Sequence, residues 1–209
     1  MAQRMLACTA CHGPQGRAAA DGYYPRLAGK PADYLYHQLL NFREGRRVYP
    51  LMAQMVDPLS DAYLLEIAEH FAGLEVPYPA PAPVNATRQE MQRGEQLVLR
   101  GDAARGLPAC AACHGSALTG VLPATPGLLG LPRDYLNAQL GAWRTGLRKA
   151  HMPDCMADIA RRLAPEDIAA VSAWLATQRI PTNTHAVAPS GMPLPQRCGS
   201  APPPTGNRR

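Results

Sequence analysis

Two short segments of the 209-residue chain carry the residue types that do chemistry. They are Cys8-Thr9-Ala10-Cys11-His12-Gly13 and Cys110-Ala111-Ala112-Cys113-His114-Gly115. In each, two thiols three positions apart fall on one side of a turn. There they can form thioethers with the two vinyl groups of a haem, and the adjacent histidine then lies beneath the iron as its proximal ligand. A redox dithiol also uses C-x-x-C, but usually in a βαβ setting that is absent here. Two such pairs can hold zinc, but Cys8/Cys11 and Cys110/Cys113 are far apart and lack finger-like spacing. Two matches, each followed by glycine and each at the same point of a repeat, point to covalent attachment of two haems.

The elements that must position these motifs are themselves duplicated. Pro25-Arg26-Leu27-Ala28-Gly29-Lys30-Pro31 matches Pro126-Gly127-Leu128-Leu129-Gly130-Leu131-Pro132. Tyr34-Leu35 matches Tyr135-Leu136, and Gln38-Leu39 matches Gln139-Leu140. Phe42 pairs with Trp143, Gly45 with Gly146, Arg47 with Arg148, and Leu59-Ser60-Asp61 with Leu163-Ala164-Pro165. The copies differ by small loop insertions.

The repeated segments read as helices. Pro31 and Pro132 suit the first helical position. Leu35, Leu39 and Phe42 follow at spacings of four and three, as do Leu136, Leu140 and Trp143. Gly45 and Gly146 suit the left-handed residue after a helix end. Ser60 can cap a helix through Ala72 that Gly73 stops, and Pro165, Glu166 and Asp167 open its counterpart with acids at the positive end of the dipole. Thr87-Arg88-Gln89-Glu90 has capping-box spacing for a helix through about Arg100. No stretch alternates convincingly at period two, so the predicted fold is all-α. It consists of a first domain over 1–76, a proline-rich linker over 77–86, a second domain over 87–180 and a tail over 181–209 without regular structure.

A haem with histidine beneath it leaves one iron face open, and the ligand there decides the class of function. The candidates are Met52 and Met55 in the first copy, and Met152 and Met156 in the second. A methionine in a small helical domain is often core filler. The repeat separates the candidates: Met52 precedes Leu59 by seven residues and Met156 precedes Leu163 by seven, whereas Met55 and Met152 have no equivalent. Met52 and Met156 are therefore the expected distal ligands. His37, His70, His151 and His185 lack counterparts and are read as non-ligands.

With these residues in place, the chain resembles the two-haem class I cytochromes c of the cytochrome c4 type over almost all of residues 1–180. The resemblance implies two cytochrome c domains packed face to face, haem propionates near the shared interface, and a role in bacterial periplasmic respiration. It implies that the carbonyls of Pro25 and Pro126 accept the Nδ1–H of His12 and His114. It also brings Tyr34, Tyr135, Arg47 and Arg148 into consideration as propionate contacts, with ordinary core or surface roles equally open. One departure is Met1, where the family carries a small residue inside its first helix. The sequence is thus expected to begin within that helix. Covalent haem attachment occurs outside the cytoplasm, so an export signal upstream of residue 1 and a periplasmic location are expected.

Composition sets further bounds. The formal charge is +5, but arginines are scattered and not interleaved with aromatics, so nucleic acid is not an expected partner. Four propionates and two ferric charges would bring the holoprotein to about +3 oxidised and about +1 reduced. No apolar run of about 18 residues is present to span a membrane.

With histidine and methionine on both irons, the expected function is electron transfer without substrate chemistry. The expected donor is a quinol-oxidising complex or a dehydrogenase, and the expected acceptor a terminal oxidase. Two alternatives stay open: a cytochrome subunit held within a dehydrogenase complex, and a dihaem enzyme of the peroxidase or thiosulfate-oxidising type. Cys155 beside Met156 keeps the enzyme reading open, because a thiolate could compete for the second iron. Cys155 and Cys198 are the two cysteines left over. In an oxidising compartment they are expected to form a disulfide that ties the tail across the second domain.

Overall fold

The computed structural model describes residues 2–19, 22–81 and 83–201, so Met1 and the end of the tail lie outside the described residues. Its first half contains α1 (Leu6–His12), α2 (Ala32–Arg43), α3 (Pro50–Val56) and α4 (Asp61–Ala72). The second half contains α5 (Arg88–Leu99), α6 (Ala111–His114), α7 (Arg133–Thr145), α8 (Cys155–Arg162) and α9 (Pro165–Thr177). Between α6 and α7 a two-stranded antiparallel hairpin pairs β1 (Gly120–Val121) with β2 (Thr125–Pro126). Sequence periodicity misses this hairpin because two-residue strands are too short to alternate.

Local chemistry sets the helix ends. The Ser60 hydroxyl accepts the Tyr63 N–H at 3.3 Å, and Thr87 and Glu90 form the reciprocal capping box. Pro31 and Pro132 stand one residue earlier than expected. They are the caps before Ala32 and Arg133, with extended ψ of 137° and 146°. Gly45 and Gly146 take positive φ of 72° and 78°, as the left-handed helix exits require.

Each half buries its own core, and the cores match across the repeat. Leu64, Ile67 and Phe71 on α4 are buried in the first. Ile168, Val171 and Leu175 stand at the corresponding turns of α9 and are buried in the second. Leu35 of α2 and Leu136 of α7 are likewise both buried. In the second half, Gly94 lets α5 cross α9 closely. A side-chain carbon there would come within 2.3 Å of the Ala170 carbonyl oxygen. The buried Asp167 carboxylate reinforces the crossing by pairing with Arg93 at 2.8 Å and Arg105 at 2.7 Å. Burial raises its pKa, but the hydrogen bonds from the two arginines and the Ala164 N–H outweigh that and hold it below the usual range.

The tail is more ordered than its composition predicts. Its described residues form no helix, but Val187 pairs in parallel with Val121. Its N–H donates to Gly120 O at 3.0 Å, and its carbonyl accepts the Leu122 N–H at 2.8 Å. Further on, the Gln196 side chain donates to Cys155 O at 2.8 Å and the Gly199 N–H to Pro153 O at 2.9 Å. Cys155 and Cys198 form the expected disulfide, with Cα atoms 5.0 Å apart. Two added β bonds at one end and a covalent bond at the other thus hold a segment that buries little apolar surface.

Candidate haem sites

Each Cys-x-x-Cys-His segment occupies one short helix. α1 carries Cys8, Cys11 and His12; Cys110 caps α6, which carries Cys113 and His114. Both histidines are 7% exposed. His12 Nδ1 lies 2.8 Å from Pro25 O, and His114 Nδ1 lies 2.7 Å from Pro126 O. A carbonyl can only accept, so each Nδ1 carries the proton and donates it. Burial lowers both imidazole pKa values, against the opposing pull of the carbonyls. Both rings are therefore neutral, with the lone pair on Nε2, the tautomer a metal ligand needs.

The thiols of both motifs are partly buried. Cys8, Cys11, Cys110 and Cys113 are all unbridged. A reactive dithiol has a thiol pKa depressed by nearby positive charge. Here burial acts the other way, pushing Cys8 and Cys113 up and Cys110 up to about 12. Thiols held half-buried beside the histidine in this way fit thioether links to a buried macrocycle.

The four methionines also divide. Met52, on α3, is half-buried and packs against the first core, and Met156, at the start of α8, is half-buried. Met55 and Met152 are 41% and 82% exposed. Asp154 holds the turn before Met156, accepting the Ala157 N–H at 3.0 Å and the Ala150 N–H at 2.7 Å.

The two halves meet through residues that the repeat duplicates. Arg47 and Arg148 face each other in an antiparallel bridge, flanked by Val48 N–H to Leu147 O at 2.8 Å and Lys149 N–H to Arg46 O at 2.7 Å. Arg47 donates to Gln38 in its own half at 3.1 Å, and across the interface to Gln139 at 2.7 Å and Tyr135 at 3.4 Å. Arg148 mirrors this, donating to Gln139 in its own half at 2.7 Å, and across to Gln38 at 2.9 Å and Tyr34 at 3.3 Å. Among the described residues neither arginine has a carboxylate partner. Burial and the neighbouring Arg47 both lower the Arg148 pKa. Arg47 also lies over the Phe42 ring at 4.6 Å and Arg148 over the Trp143 ring at 3.8 Å. Two adjacent cations held by neutral oxygens and aromatic faces suit a group that brings carboxylates to this interface, as a haem does with its propionates.

Lys30, which the sequence marks only as a repeat position, also crosses the boundary. It is 5% exposed, and its ammonium donates to Gly127 O, beside Pro126, at 3.1 Å. Burial and nearby Arg26 lower its pKa to about 8.

Comparison with known proteins agrees with this geometry. The Cytochrome c family pattern matches residues 2–93 and again 91–179. The chain belongs to the cytochrome c family. The crystal structure of reduced recombinant cytochrome c4 from Pseudomonas stutzeri superposes with a TM-score of 0.73 at 30% identity, covering 85% of this chain and 96% of that one. The chain is thus a dihaem cytochrome of the c4 type, two tandem cytochrome c domains that bind two covalent haem c groups and transfer electrons. A relative from Thiomonas intermedia (strain K12), named thiosulfate dehydrogenase electron acceptor, is 40% identical over 172 residues, 82% of this cytochrome and 78% of the relative. The thiosulfate dehydrogenase TsdBA from Marichromatium purpuratum superposes with a TM-score of 0.75 at 32% identity. That match covers 85% of this cytochrome, which spans only 40% of the TsdBA chain. No helix among the described residues is long and apolar enough to cross a membrane.

Proposed function

We propose that this cytochrome accepts electrons from a thiosulfate-oxidising dehydrogenase in the periplasm and delivers them to a terminal oxidase, without itself turning over a substrate. The axial pairs in this reading are His12 with Met52 and His114 with Met156. The observation that carries it is the pair of matched half-sites, each a buried neutral histidine fixed by a proline carbonyl, joined through the Arg47–Arg148 interface. Bound haem supplies a one-electron ferric–ferrous couple. The chain's own residues do the rest. Pro25 and Pro126 fix the imidazoles, half-buried Met52 and Met156 are available as second donors, and Arg47 and Arg148 meet between the two sites. The relative named as a thiosulfate dehydrogenase electron acceptor supports that donor over a quinol-oxidising complex. The likeness to the longer TsdBA chain supports a cytochrome that works beside, or bound to, such a dehydrogenase.

Stopped-flow absorbance tests this reading. The oxidised cytochrome mixed with thiosulfate alone is expected to stay ferric over many seconds. Adding a catalytic amount of a thiosulfate dehydrogenase should then reduce both haems. Sustained thiosulfate consumption by this chain alone, at the roughly 1–1,000 per second of ordinary enzymes, would overturn the carrier assignment. Failure of the dehydrogenase to reduce a competent cytochrome would remove it as donor.

A further inference from the structure

We infer that Lys30, a residue of the first domain, sets the reduction potential of the haem held by the second. The inference rests on His114 being that haem's proximal ligand.

The repeat aligns Lys30 with Leu131, which packs against the second core. One domain therefore places a cation at this position and the other a hydrocarbon. The lysine is nearly all buried, and its ammonium is held by the Gly127 carbonyl of the opposite domain at 3.1 Å. Gly127 follows Pro126, whose carbonyl takes the His114 Nδ1–H at 2.7 Å. The charge thus sits at the loop that orients the second proximal histidine, and it lowers the His114 pKa alongside burial. Among the described residues no carboxylate pairs with Lys30; the neighbouring charge is the buried Arg26. The Arg26 guanidinium is spent on the carbonyls of Ala28, Val76 and Pro77 and lies over the Tyr78 ring. Among the described residues the charged neighbour of His12 is Arg47, not a lysine.

A buried cation opposes the extra positive charge of the ferric state and so favours the ferrous one. At an effective dielectric of about 20, a unit charge on the order of 10 Å away changes an equilibrium by roughly tenfold. For a one-electron couple, tenfold corresponds to about 59 mV. Lys30 therefore raises the potential of the second haem, through a contact made between the two domains.

Spectroelectrochemical titration of Lys30→Gln, Lys30→Arg and the wild type at pH 6.5 tests this. Glutamine keeps a donor for Gly127 O and removes the charge; arginine keeps the charge. In Lys30→Gln, one midpoint is expected to fall by roughly tenfold in its ferrous–ferric ratio, about 59 mV, and it should be the midpoint that Met156→Ala also moves. Lys30→Arg should stay within a few-fold of wild type. Unmoved midpoints in Lys30→Gln, equal shifts of both, or an equal fall in Lys30→Arg would overturn the inference while two low-spin haem spectra left the haem assignment standing. A wild-type chain with fewer than two covalent haems would remove its basis.

Discussion

Replacing Met156 by alanine is expected to remove half of the methionine-to-ferric-iron charge-transfer absorption and to open one iron to carbon monoxide. Met52→Ala should do the same at the other iron, and the double variant should lose the band entirely. The grounds are positional and structural. Both residues stand seven positions before the leucine that leads into the last helix of their domain, and both are half-buried. Losing the thioether also lowers the potential of the affected haem, because methionine ligation favours the ferrous state. Met55→Ala and Met152→Ala are the controls. Met152 is largely in solvent and Met55 is more exposed than Met52, so neither should alter the spectrum. Carbon monoxide binding in either control, with an unchanged Met52→Ala or Met156→Ala, would show that the register is wrong.

Cys198→Ser is expected to destabilise the second domain by roughly 2–4 kcal/mol. The disulfide joins residues 43 positions apart. In the chain-entropy model, closing a loop of about this size removes roughly 4 kcal/mol of unfolded-state freedom, and strain reduces the net gain. The variant also releases the strap of Val187, Gln196 and Gly199, whose hydrogen bonds run from the Gly120–Leu122 hairpin to the turn before Met156. Denaturant melts of wild type and Cys198→Ser, followed at the second haem, would measure the change. Thiol titration of denatured, unreduced holoprotein should return no free thiol per chain. Two free thiols, or an unchanged melt, would contradict this role.

Local and covalent features were the most legible in the sequence. Cys8, Cys11 and His12 announce themselves because thioether and iron geometry fixes their spacing. The Pro25 and Pro126 contacts came from the family resemblance rather than from residue patterns, and each carbonyl lies within 3 Å of its histidine. Helix caps at Ser60 and Thr87 were readable because a side chain three residues from its partner needs no tertiary information. What depends on docking was not readable. The repeat matches Arg47 with Arg148 and Gln38 with Gln139, but only the folded chain has each arginine donate to both glutamines. Lys30 reads as one more position in a loop, since the carbonyl that holds it, Gly127 O, belongs to the other domain. The Val187 strand was missed because a single parallel bridge leaves no pattern in a proline-rich segment.

A reductive titration of the oxidised protein tests the central claim most directly. With spectra recorded at each addition and haem retention checked after acid–acetone extraction, the expected result is two electrons taken up per chain. Both irons should be low-spin throughout, and all of the colour should stay with the protein. One electron per chain, a high-spin iron, or haem that extracts into acetone would contradict a dihaem c-type electron carrier.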